Sequence, residues 1–194
     1  DNYVSCLPYS VKKFPMEWMG SANGELTGAF FNRIQRIACP FIITMCIHIP
    51  DQTSAASKAQ NNMLRATQMK DTDVGKYVPQ WKGRHADWTY VVGCMDQGSR
   101  LIRASYQIVL FAPQGTEQGC EQSLRNVFSA NGWNLVKDRF CTVPRVMSSM
   151  PMWIGRESFE LMDKLKFFST LLSWNAVNLA PWIGEWKGNV PYGK

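Results

Sequence analysis

The chain ends in "GEWKGNVPYGK", where Gly188, Gly193 and Lys194 spell G-x-x-x-x-G-K, a phosphate-cradling loop without its closing Ser or Thr. Such a loop works only where a buried strand delivers it and a helix N-terminus receives it, because the backbone N–H groups at that junction hold the phosphates. The preceding "NLAPWIGEWKG" has no uninterrupted β-branched run, and Pro191 removes one N–H donor. The pattern is therefore read as a chance match in a chain with 14 glycines. Other reactive side chains are sparse. Cys46 and His48 share one face of a strand and could begin a metal site, yet no second Cys/His pair completes a tetrahedron. Two histidines, His48 and His85, are the only imidazole bases, and no G-x-S-x-G elbow accompanies them. Glu157, Glu160 and Asp163 recur at i, i+3 spacing. They read either as paired carboxylates or as acids favoured by the dipole at a helix start, and the second fits better. The expectation is that no enzyme is complete within these residues and that they hold no cofactor or metal of their own.

Charge is more informative than nucleophiles. The chain has 194 residues and a net charge of +6. Between Lys58 and Arg84 six basic residues (Lys58, Arg65, Lys70, Lys76, Lys82 and Arg84) face only Asp71 and Asp73. A local positive patch can meet lipid headgroups, nucleic acid or an acidic protein face, or can be an ordinary solvated helix surface. These six residues form the candidate contact patch. Six cysteines, widely spaced and without C-x-x-C, could make three disulfides or none; their apolar settings favour reduced thiols in a cytosolic compartment. The start at Asp1 and the Gly/Pro-rich end lead to the expectation of a piece from a longer chain.

The elements that must position these residues follow from periodicity. Phe14, Met16 and Trp18 alternate as a half-buried strand would, with Pro15 marking an edge or bulge. Asn23 caps a helix whose face is Leu26, Phe30, Ile34 and Ile37, and Pro40 ends it. Phe41 to Ile49 is a strand. From Asp51 to about Gln68 the chain is helical by propensity with only a thin stripe of Ala56, Ala59, Met63 and Ala66, so this helix must lie in solvent or against a partner. A second helix follows, with Trp81, Trp88, Val91, Val92 and Met95 as its apolar side. "LIRASYQIVLFA" is a strand with Ile102, Ala104, Tyr106, Ile108 and Leu110 on a core face and Arg103, Ser105 and Gln107 on a partly wet one. Thr116 to Ala130 is a helix stopped at Asn131–Gly132, "WNLVKD" a short strand, and "RESFELMDKLKFF" and "STLLSWNAVNLA" are helices.

This order predicts an α+β fold: a ferredoxin-like split βαβ antiparallel sheet with a helical insertion and a helical C-terminal tail. The expected organisation is a sheet domain at 1–143 with its insertion at about 51–98, a helical tail at 144–183 packed on it, and a linker at 184–194.

The runs "PFIITMCIHIPDQ", "ADWTYVV", "GSRLIRASYQIVLFAP", "NGWNLVKDRF", "SSMPM" and above all "NAVNLAPWIGEWKG" resemble the region before the motor domain in TraC-type ATPases of conjugative type IV secretion systems. The resemblance implies a RecA-like ATPase, with ATP and Mg, on chain beyond "GEWKG", and an amino-terminal part that docks the motor on the cytoplasmic side of the inner membrane. Gly188 to Lys194 would then be a linker, and no catalytic residue of the family falls on this sequence. The Pro191, Tyr192 ending departs from any motif of that region. On this reading the chain is a non-catalytic docking and assembly domain for DNA transfer and pilus assembly. Its expected partners are inner-membrane secretion components, its own ATPase domain and anionic lipid, in a homo-oligomeric parent. The rival is a basic ferredoxin-like nucleic-acid-binding module, although the wet face of the Leu101–Ala112 strand shows no aromatic pair.

Overall fold

A computed structural model describes residues 3–28, 36–72, 77–78 and 80–180. The described elements run β1 (Val4–Lys13), α1 (Asn23–Gly28), β2 (Phe41–His48), α2 (Gln52–Lys70), α3 (Gln80–Asp96), β3 (Leu101–Pro113), α4 (Glu117–Ala130), β4 (Asn134–Lys137), α5 (Thr142–Ser148), α6 (Arg156–Lys164), β5 (Ser169–Leu172) and α7 (Ser173–Leu179). The sheet order is β2-β3-β1-β4, with β5 also paired to β3. β3 runs antiparallel to β1 and to β5, and β1 antiparallel to β4. In this order β3 separates β1 from β2, as a split βαβ sheet requires, and α2 and α3 occupy the β2–β3 connection. The fold class expected from the sequence is the one observed.

The chain divides into two compact units: the described residues of Asp1–Met45, Tyr106–Phe167 and Asn178–Lys194, and Cys46–Ser105 with Phe168–Val177. The first has a dense core in which Tyr9, Ile108, Leu110, Leu124 and Phe128 are completely buried. Trp133 is its centre, with ring centroids of Tyr106, Trp18, Phe14 and Phe128 at 5.0, 5.2, 5.4 and 5.8 Å, three of them edge-on. α4 reaches this core through Cys120, Leu124, Val127 and Phe128 and stops where expected. Gly132 follows at φ 78°, a left-handed backbone that would strain any side chain placed there.

The expected first strand is misplaced. Phe14 and Trp18 both pack on Trp133 while Met16 is 96% exposed, so this segment is no alternating strand; β1 lies just before it, in "VSCLPYSVKK". Pro8 disguises β1, since a residue without an N–H argues against a strand between two neighbours; here its carbonyl accepts from Asp138 N at 3.0 Å. The helix expected after Asn23 falls in part on residues 29–35, outside the described set. The helix does begin at Asn23, but as its first helical residue and not as its cap: the Asn23 side chain accepts from Trp18 Nε1 at 2.9 Å and donates to the Ala180 carbonyl at 2.6 Å. "STLL" is a strand, β5, instead of the first turn of a helix, because its backbone pairs Leu101–Ala104 of β3.

In the second unit, α2 and α3 pack as a hairpin. Ala55, Ala59, Leu101 and Leu172 are buried together, and Trp88, Val91, Val92, Cys94 and Met95 pack on them half-buried. Small alanines let α2 approach closely without a large apolar face. Gln52, on the first turn of α2, clamps β3: its Oε1 accepts from Leu101 N at 3.1 Å and its Nε2 donates to the Leu101 carbonyl at 3.0 Å. Two backbone groups are thereby satisfied as a neighbouring strand would satisfy them.

Candidate functional site

α2 begins where Asp51 accepts from Ser54 N at 2.8 Å, and that hydrogen bond holds the Asp51 carboxyl below its ordinary value. Residues of high helix propensity then carry it to Lys70. Its buried stripe, Ala55, Ala59 and Ala66, leaves Lys58 and Arg65 flanking one side of the packed face, seven residues apart. On α3, Trp81, Arg84 and Trp88 fall at i, i+3 and i+7, one face of the helix.

The two helices together form an open groove of about 420 Å3, lined by Asn62, Arg65, Ala66, Gln68, Met69, Trp81, Arg84 and Trp88. The Arg84 guanidinium carbon stands 5.0 Å from the Trp81 ring centroid, a cation–π contact that holds the charge over the indole. Arg65, Asn62 and Gln68 also line a second concavity of about 630 Å3 that runs along α2 past Lys58 and Asn61. No Asp or Glu lines either one among the described residues. Of the six basic residues singled out from the sequence, Lys58, Arg65 and Arg84 therefore converge on one track. Lys70 and Lys82 lie off it, and Lys76 is outside the described residues.

Groups outside the hairpin have structural employment. Arg145, 3% exposed, pairs its Nε with Asp138 Oδ2 at 3.1 Å, donates to Gln107 Oε1 at 3.2 Å, and lies 3.5 Å from the Phe167 ring centroid. Ser148 donates to the same Gln107 oxygen at 3.0 Å, and Ser10 donates to Asp138. Ser105 and Gln107, expected on a wet strand face, are 1% and 0% exposed, whereas Arg103 is half-buried. The spacing of β3 placed them correctly on one face, but α5 supplies Arg145 and Ser148 to cover Gln107, which the strand pattern could not reveal. Glu121 is a second charged node: burial opposes its ionisation, but Lys137 Nζ at 2.8 Å and Arg125 at 3.1 Å override that and lower its carboxyl.

The remaining sequence candidates are scattered. Cys46 is half-buried and His48 exposed near the end of β2, and no group of three His, Cys, Asp or Glu side chains among the described residues could hold a metal ion. All six cysteines are free; burial, then the neighbouring Cys120 thiol, pushes Cys39 up to about 12. Glu160 lies on the solvated face of α6, 3.5 Å from Arg156. Gly188, Gly193 and Lys194 are outside the described residues. No described helix is long and apolar enough to cross a membrane.

The methionines crowded at Met147, Met150 and Met152 fit either an irregular core or a recognition surface from sequence, with the core favoured; the structure instead leaves an apolar run exposed in the first unit. Phe140 and Met152 are completely exposed, Val143, Met150 and Met147 are 66%, 54% and 39% exposed, and Met152 sits at φ 61°. Val143 and Met147 share a face of α5 at i, i+4. The crowding of methionines in "VMSSMPM" was the available signal.

Residues 5–154 match the profile of the family described as TraC protein. A relative named Protein TraC, from Escherichia coli (strain K12), is 24% identical over 152 residues, which is 77% of this chain and 17% of that protein. The chain thus spans under a fifth of the curated relative it matches.

Proposed function

Starting from a chain that belongs to the TraC family of conjugative type IV secretion, we propose that these residues act as a docking and assembly part of a longer secretion ATPase and not as its motor. The observation that carries this reading is the exposed run Phe140, Val143, Met147, Met150 and Met152, which falls within the matched segment. Methionine side chains are unbranched and polarizable, so they adapt to irregular partner surfaces, and a concentrated exposed apolar run marks a place of contact. Inner-membrane components of the secretion machinery and the parent's own ATPase domain are the partners it would meet. Lys70 and Lys82, off the groove, would face anionic lipid at the cytoplasmic side of the membrane. ATP and Mg belong, on this reading, to chain outside these residues, and the parent assembles as a homo-oligomer.

A photo-crosslinking residue at Met147, introduced into the full-length parent in conjugating cells, is expected to capture an inner-membrane secretion component. Met147→Asp with Met152→Asp is expected to reduce DNA transfer with the protein's melting temperature unchanged. Wild-type transfer by that double variant, or ATP turnover by residues 1–194 alone, would sink the proposal.

The nucleic-acid alternative, in the form of bases stacked on the sheet, lacks its platform. Gln107 lies under Arg145 and Ser148, and Tyr106 is 4% exposed within the Trp133 cluster.

A further inference from the structure

We infer that the α2–α3 groove is a binding site for single-stranded nucleic acid, with Trp81 and Trp88 as base platforms and Arg65, Arg84 and Lys58 as phosphate contacts. This goes beyond the docking reading and uses a different surface from the methionine run.

Three features of the groove carry it. The first is the pairing of cation and ring. Arg84 is already held 5.0 Å over the Trp81 centroid, so the guanidinium is positioned before any ligand arrives and loses little freedom on binding. Arg65 faces the same space from α2. No Asp or Glu is among the described lining residues, so none of these side chains opposes an anion in the groove.

The second is the placing of amides between charges. Asn62 and Gln68 lie on either side of Arg65 in the lining, and Asn61 continues the row. Carboxamides offer donor and acceptor together, which suits the edges of bases, whereas against acyl chains they would have to be desolvated without partners. The indole of Trp88 is packed on the Ala55, Ala59, Leu101 and Leu172 cluster and lines the groove as well, so this ring is recessed instead of projecting as a membrane-inserting helix would present it. A strand of bases fits this surface better than a bilayer does.

The third is extent. Arg65, Asn62 and Gln68 belong to both concavities, so the basic track is continuous from Lys58 to Gln68. Ten residues of helix cover about 15 Å. That exceeds one mononucleotide and matches a short run of single strand, whose phosphates follow the cations while its bases turn toward the rings.

The test uses the 194-residue chain and three probes: a fluorescein-labelled ten-residue oligothymidylate, an abasic oligonucleotide of equal charge, and vesicles containing phosphatidylglycerol. The oligothymidylate is expected to bind with a log–log salt slope of about −0.7 per phosphate contacted. The abasic strand should bind about tenfold more weakly, and Trp81→Leu should close most of that gap. Arg65→Gln with Arg84→Gln, both exposed side chains whose loss should leave the melting temperature in place, should weaken the oligothymidylate about tenfold or more and flatten its salt slope. Should Trp81→Leu disturb folding, Trp81→Phe is expected to retain binding and Trp81→His to retain only part of it. Equal binding of the abasic strand, binding indifferent to the arginine variants, or association with vesicles alone would each overturn the assignment. None of these outcomes bears on the Met147 crosslink, so the two proposals fail separately.

Discussion

Arg145 and Arg84 carry the same side chain in two different economies of burial. In the first unit, Arg145 is almost wholly enclosed, with Asp138, Gln107 and the Phe167 ring as its surroundings. A guanidinium so placed is compensated for its lost water only by that set of partners, so it cannot also serve a ligand. In the second unit, Arg84 rests on an exposed face of α3 with one ring beneath it. The cores differ in the same sense. Around Trp133 four aromatic rings pack, whereas α3 contributes no fully buried residue to its own unit. Where packing is dense, polar side chains are spent on the fold; where it is thin, they remain free to act on something else.

The sharpest way to break this comparison is at Trp133. Trp133→Ala removes the ring that four others pack against, and chemical denaturation should show a loss of about 4 kcal/mol. A loss below about 1 kcal/mol would mean that the aromatic cluster does not hold the first unit. A smaller effect is expected in the hairpin. Ala59, 1% exposed, sits where α2 approaches Leu101 and Leu172; Ala59→Leu should cost about 2 kcal/mol by overpacking. Hydrogen exchange should place that loss in residues 52–96 and leave β1 and α4 protected. Uniform loss of protection would erase the distinction between a rigid unit and a thin one.

The smallest effect concerns Asp51. Its carboxyl is held below the usual value by the Ser54 N–H, so its folded pKa is depressed relative to the unfolded chain. The cap's contribution is then complete above the unfolded value near 3.9 and is lost as pH falls through the folded pKa. Amide protection at the start of α2 should therefore fade in acid. Asp51→Asn keeps a capping oxygen without the titration, so its protection should be insensitive over the same range; equal acid sensitivity in both proteins would remove Asp51 as the cause.

Periodicity made β3 as a strand, the α4 stripe with its Asn131–Gly132 stop, and the apolar side of α3 legible in advance, because each is a local pattern repeated over several turns or residues. The alternation of β3 did not hold, since both its faces are buried, and the thin α2 stripe held only at Ala59 and Ala66, with Ala55 buried in place of Ala56. β1 escaped because Pro8 interrupts a strand whose neighbours come from residues 107–113 and 134–137, far along the chain. β5 escaped because four residues are too few to show a period. At the candidate site, the excess of basic residues was visible, but which of them converge was not. Helical phase alone separates Lys58 and Arg65 from Lys70, yet nothing local says that Trp81 and Arg84 of another helix will stand opposite.

The amino-acid order by itself determined the fold class, the helical insertion and the positive charge of that insertion, since these depend on side-chain type at fixed spacing along one element. Tertiary structure alone decided that Gln107 is buried under Arg145, that Met152 and Phe140 stand in solvent, and that Arg65 and Arg84 share one groove. Those outcomes depend on which distant segment covers a given face, and a free energy of packing between remote residues leaves no periodic trace in the chain.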